Sequence, residues 1–85
     1  MVEKIKFKNR SGKKIEILIE PSAEYIDVIH NDIVIFEFVR ICDEAEDTML
    51  VVLEDDMLIV YESGHTDLKI FVNNELKYST SPRGV

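Results

Sequence analysis

Glu3-Lys4-Ile5-Lys6-Phe7-Lys8, followed by Asn9-Arg10-Ser11-Gly12 and then Ile15-Glu16-Ile17-Leu18-Ile19-Glu20-Pro21, decides the fold class of this chain. Ile5 and Phe7 alternate with Lys4, Lys6 and Lys8, and Ile15, Ile17 and Ile19 alternate with Glu16 and Glu20, the period of a strand with one face in a core. Gly12 can take the positive φ that the intervening turn needs. Pro21 has no amide hydrogen to give to a ladder, so the second strand stops there.

The same grammar continues to the end of the chain. Residues 25–30 turn through His30-Asn31-Asp32 into 33–40 and read as a hairpin. Residues 49–53 and 57–61 flank Glu54-Asp55-Asp56 as a second hairpin; Ser63-Gly64-His65-Thr66 leads into 68–72, and Asn73-Asn74 turns into 76–78. Residues 41–48 are the one long connection. Apolar segments spaced by about 8 to 12 residues predict seven or eight short strands and no helix. Short turns predict antiparallel neighbours, and an apolar face must be covered. The expected fold is therefore all-β, a single antiparallel two-sheet sandwich or flattened barrel. With 85 residues there is room for one domain, expected over residues 1–78 with a polar tail at 79–85.

Apolar residues make up 46% of the chain and charged residues 32%, the balance of a globular protein. The longest apolar runs, 49–53 and 57–61, fall far short of the roughly 20 residues of a membrane-spanning helix, so no membrane partner is expected. The net charge of −7 is unevenly spread. Six basic residues stand against Glu3 in residues 1–14, whereas fifteen acids stand against Arg40 in residues 15–68. A net-negative body repels phosphate backbones, so no nucleic-acid partner is expected. The N-terminal lysines alternate with apolar positions and are expected to pair with acids on a neighbouring strand. No apolar stretch follows the first lysines, and Cys42 is the single cysteine; both favour the cytoplasm. Asn9-Arg10-Ser11 matches the N-glycosylation pattern without other support.

Several motifs together resemble a known group. Phe7-Lys8-Asn9-Arg10-Ser11-Gly12-Lys13-Lys14, Ile15-Glu16-Ile17-Leu18-Ile19-Glu20-Pro21, Tyr25, Val60-Tyr61-Glu62-Ser63-Gly64-His65-Thr66 and Ile70-Phe71-Val72-Asn73-Asn74-Glu75 resemble small uncharacterised bacterial all-β proteins. Those proteins open on an Asn-x-Ser/Thr turn and end the second strand with Glu-Pro. The chain departs from them at His30-Asn31-Asp32 and at Asn73-Asn74. The resemblance implies a β-sandwich and, because the group has no assigned activity, implies no functional residue.

No catalytic constellation emerges. Cys42 is followed by Asp43 and Glu44, which raise rather than lower a thiol pKa. Ser63, His65 and Asp67 contain the residue types of a hydrolase triad, but consecutive positions on one turn seldom give triad geometry. The acidic rim Asp43, Glu44, Glu46, Asp47, Glu54, Asp55 and Asp56 offers carboxylates for a cation, yet the EF-hand spacing and its glycine are missing. No metal site and no cofactor are expected, since two histidines give no zinc spacing and no phosphate-cradling glycine loop is present. Tyr and Phe residues read as core before they read as a sugar platform.

The informative anomaly is that 33–36, 49–53 and 57–61 are apolar at every position. A strand alternates faces, so half of those side chains point away from the core unless something covers them. Ile33, Ile35, Leu50, Val52, Leu58 and Val60 are the expected outward members. The expected function is a non-catalytic protein-interaction module that self-associates, as a homodimer for example, or binds another protein. The alternatives are an acidic inhibitor or immunity-type protein against a basic partner such as a nuclease, and a cation- or sugar-binding module.

Overall fold

The computed structural model describes residues 2–40, 49–63 and 66–80. The expectations placed on residues 41–48, including Cys42, Asp43, Glu44, Glu46 and Asp47, and on His65 lie outside the described residues. Eight strands are described: β1 (Val2–Lys8), β2 (Ile15–Glu20), β3 (Glu24–Val28), β4 (Ile33–Arg40), β5 (Leu50–Glu54), β6 (Met57–Tyr61), β7 (Thr66–Val72) and β8 (Glu75–Ser79). No helix occurs among the described residues.

The strands form two four-stranded sheets, ordered β1-β4-β7-β8 and β3-β2-β6-β5, and neither closes into a barrel. Three short turns make hairpins, and the one between β2 and β3 is not among those the sequence predicts. Asn73 (φ 51°) and Asn74 (φ 68°) both adopt the left-handed conformation between β7 and β8, the two-residue turn whose twist matches a hairpin. Asp55 (φ 51°) serves β5 and β6, and Pro21-Ser22-Ala23, with Ala23 at φ 57°, joins β2 to β3.

Two expectations fail. β3 and β4 do not form a hairpin: they belong to different sheets, and the polar turn between them carries the chain from one sheet to the other. Nor is the structure antiparallel throughout, because β2 runs parallel to β6, with Leu18 opposite Ile59. A short connection forces antiparallel pairing only when both strands stay in one sheet. β1 to β2 and β3 to β4 instead change sheet, which frees β2 to pair with a strand far along the chain.

One core joins both sheets. Ile17, Ile19, Ile26, Val28 and Val60 from one sheet cluster with Val34, Phe36, Leu68, Ile70, Val72 and Tyr78 from the other. Phe7 meets Phe36 edge to face, with ring centres 5.5 Å apart. The crossing between sheets is fastened by Asn9, a polar residue only 4% exposed. Its Nδ2 donates to the carbonyls of Lys13 (2.9 Å) and Val28 (3.0 Å), while its Oδ1 accepts from the Ser11 amide (3.0 Å) and hydroxyl (2.7 Å). The Asn9 amide also donates to the Asp32 carbonyl, which ties this crossing to the one between β3 and β4. Both amide hydrogens are thus occupied inside the fold, so the glycosylation pattern is unreadable in the folded chain. At the other end the backbone pairing includes Thr80. Thr80 donates its amide to the Leu68 carbonyl, and its hydroxyl accepts from the Leu68 amide.

Candidate functional site

Strand alternation and the core together fix which face of each sheet turns away from the core. In the β3-β2-β6-β5 sheet, Ile17 and Ile19 of β2 are fully buried in the cluster, so Glu16, Leu18 and Glu20 lie on the outer face. Reading across the register, Tyr25, Leu18, Ile59 and Val52 form one outward row of four apolar side chains spanning all four strands. The next row holds Glu20, Tyr61 and Leu50, and the row on the other side holds Asp27, Glu16, Met57 and Glu54. Tyr25 is 60% exposed and Leu50 57%, whereas Ile59, at the middle of the patch, is only 9% exposed although it is not part of the core cluster. The result is an apolar centre bordered by four carboxylates.

The expected outward residues are redistributed by this geometry. Leu50 and Val52 lie on the outer face of β5 as expected. Ile33 and Ile35 also face outward, but from β4, on the other sheet, so the six residues do not make one surface. Val60 is a correction: it is fully buried in the core, and Leu58 packs against that core beside it. The outward members of β6 are Met57, Ile59 and Tyr61. A strand apolar at all five positions carries no period, and its phase is set by pairing with Ile17 and Ile19 across β2. Tyr25 and Tyr61, exposed on this face, and Leu18 and Ile59, which face outward but are partly or largely covered, are not among the expected outward residues. A signal for Leu18 existed, since it stands where the Glu16 and Glu20 alternation calls for a polar residue.

The β1-β4-β7-β8 sheet has a different outer face. Lys6, Ile35, Phe71 and Leu76 form one row; Lys4, Glu37, Lys69 and Ser79 form the next; Lys8 stands opposite Ile33, and Val39 opposite Asp67. Four lysines share this face with two acids. Lys4 Nζ reaches Glu37 at 3.6 Å, the cross-strand pairing expected of the N-terminal lysines.

The described part of the acidic rim is exposed at the β5–β6 tip, and the chain neutralises part of it. Lys13 Nζ sits 2.6 Å from Asp56 Oδ1. The hydrogen bond to Asp56, then the charge of that carboxylate, raises the Lys13 pKa above its ordinary value. Phe7, Ile15, Leu53 and Leu58 floor an open hollow of about 350 Å³ beside this tip. At the opposite end, Tyr78 Oη donates to Glu62 Oε1 at 2.6 Å, with the Ser22 hydroxyl 3.4 Å from each. Burial first, and the hydrogen bond to Glu62 second, push the Tyr78 phenol up to about 12. Such a phenol stays protonated at neutral pH and acts as a donor that holds the β6 exit against β8.

His30 is engaged locally, its Nδ1 accepting from the Gly12 amide at 3.1 Å. Among the described residues no group of three or more His, Cys, Asp or Glu is placed to hold a metal ion. No helix among them is long and apolar enough to cross a membrane. Comparison of the chain with known protein families, with curated proteins and with solved structures gives no match.

Proposed function

We propose that this chain is a non-catalytic protein-interaction module whose two sheets stack face to face as a sandwich, and that the outer face of the β3-β2-β6-β5 sheet is its contact surface. This reading takes the chain to be one of the small bacterial all-β proteins that its turn motifs resemble. The observation that carries it is the apolar row Tyr25-Leu18-Ile59-Val52 with Tyr61 and Leu50 beside it, on the side of the sheet turned from the core. Fully burying a large apolar side chain is worth about 1.5–3 kcal/mol, and the isolated subunit leaves part of that gain unused at Tyr25, Leu50 and Tyr61, which are 60%, 57% and 43% exposed. Glu16, Glu20, Asp27 and Glu54 around the patch favour a protein partner that is apolar at its centre and carries Lys or Arg at its rim. The sheet face is favoured over the acidic tip as the site for a basic partner, because Lys13 already occupies Asp56 there.

Site-specific photo-crosslinking tests this reading. A photoreactive side chain at Leu50 or Tyr61, introduced in cells producing the protein, is expected to give one defined protein conjugate. The same group at Arg10, exposed at the crossing between the sheets, is expected to give none. Equal labelling from all three positions, or none from Leu50 and Tyr61, removes the assignment.

A further inference from the structure

We propose that the partner of this acidic face is the basic outer face of the β1-β4-β7-β8 sheet on a second copy of the chain, so that copies associate head to tail. The inference rests on the reading of the β3-β2-β6-β5 outer face as a contact surface, and it names the occupant.

Both outer faces have the same plan with opposite charge. One presents Leu18, Ile59 and Val52 between Glu16, Glu20, Asp27 and Glu54, with Lys14 as the cation 3.8 Å from Asp27. The other presents Ile35, Phe71 and Leu76 in a row headed by Lys6, with Lys4, Lys8 and Lys69 around it and Glu37, paired with Lys4, and Asp67 as its acids, so the face stays net positive. Among the described residues Lys6, Lys8 and Lys69 form no ion pair, so their charge is available to a partner. A symmetric dimer through either face sets like charge against like, which is unfavourable for directly opposed side chains. Unlike faces set apolar row on apolar row and lysines against carboxylates.

The contact is also small. Four strands about 4.8 Å apart, with about five residues of about 3.3 Å each, give about 300 Å² in projection. Stable interfaces bury roughly 800 Å² per partner. The association is therefore weak, dependent on concentration and weakened by salt. A contact between two different faces leaves one of each free at the ends, so growth continues until a ring closes.

Two pairs of substitutions block one face each while keeping the sign of its charge. Ile35→Lys with Leu76→Lys spoils the basic face, and Leu50→Glu with Tyr61→Glu spoils the acidic one. Leu76→Lys and Leu50→Glu alone, at half-exposed positions, serve if a double variant melts early. The expected result in sedimentation velocity is a wild-type weight-average coefficient that rises with concentration and falls in molar salt. Each variant alone stays a monomer, and an equimolar mixture gives a one-to-one dimer with nothing larger. The head-to-tail proposal falls if the wild type stays monomeric at every concentration. It also falls if the basic-face variant associates like the wild type, an outcome that leaves the acidic face as a contact surface for another partner. Wild-type association by the acidic-face variant overturns both readings.

Discussion

Replacing Asn9 by Ala tests how the chain crosses between its sheets. The side chain is 4% exposed and makes four hydrogen bonds. Water can replace those at the exposed Ser11 and Lys13, but the Val28 carbonyl belongs to a fully buried residue and loses its donor. An unsatisfied buried acceptor costs about 1–3 kcal/mol, and the other lost bonds add a fraction each, so the expected loss is about 2–3 kcal/mol. At about 4–8 °C per kcal/mol for a domain of this size, Tm falls by about 10–20 °C. Asn9→Asp keeps the acceptor for Ser11 but turns a second oxygen toward the carbonyls of Lys13 and Val28. That carboxyl therefore has a higher pKa folded than unfolded. A raised folded pKa means the acid form is favoured in the fold, so the penalty is complete at neutral pH and shrinks as pH drops through the raised value. Urea melts of wild type and both variants over a pH series measure these differences. An Asn9→Ala loss below about 0.5 kcal/mol, or an Asn9→Asp deficit that does not shrink on acidification, refutes the role given to Asn9.

Three further outcomes are expected. Because Tyr78 has a folded pKa of about 12, above the unfolded value near 10, its contribution to stability is complete below the unfolded pKa and is lost as pH rises through about 12. Phenolate absorbance should show a last ionisation step near pH 12 that disappears in Tyr78→Phe; a titration unchanged by that substitution contradicts the buried Tyr78–Glu62 bond. Val60→Lys should abolish cooperative unfolding because it buries a charge in the core, while Val52→Lys, on the outer face, should cost under about 1 kcal/mol; the reverse order in thermal melts contradicts the phase assigned to β5 and β6. Gly12→Ala should lose about 1–2 kcal/mol through backbone conformation alone, because Gly12 has φ +83° with nothing within 4 Å of an added Cβ; no change in the urea midpoint contradicts the turn geometry.

The strands themselves were legible because their apolar positions and their turn residues agree. Asn73-Asn74 and Glu54-Asp55-Asp56 announce hairpins through local backbone preference, and the structure places hairpins there. Which strands share a sheet was not legible. The turns Asn9-Arg10-Ser11-Gly12 and His30-Asn31-Asp32 have hairpin chemistry, but long-range bonds from the buried Asn9 make them corners between sheets. The parallel pairing of β2 with β6 joins residues about forty positions apart, beyond any local signal. The presence of surplus apolar surface was visible in residues 49–53 and 57–61, but its location was not. Only pairing with the alternating β2 shows that Ile59 faces out and Val60 in.

If the outer faces of the sheets are where this protein makes contact, residues on those faces change environment as copies associate. Amide chemical shifts followed over a dilution series measure that residue by residue. Concentration-dependent shifts are expected at Leu18, Tyr25, Val52, Ile59 and Tyr61 together with Ile35, Phe71 and Leu76, while Asn9 and Gly12 at the sheet crossing stay fixed. Shifts confined to the exposed backbone of β1 and β8, or spectra identical from micromolar to millimolar protein, would contradict contact through those faces.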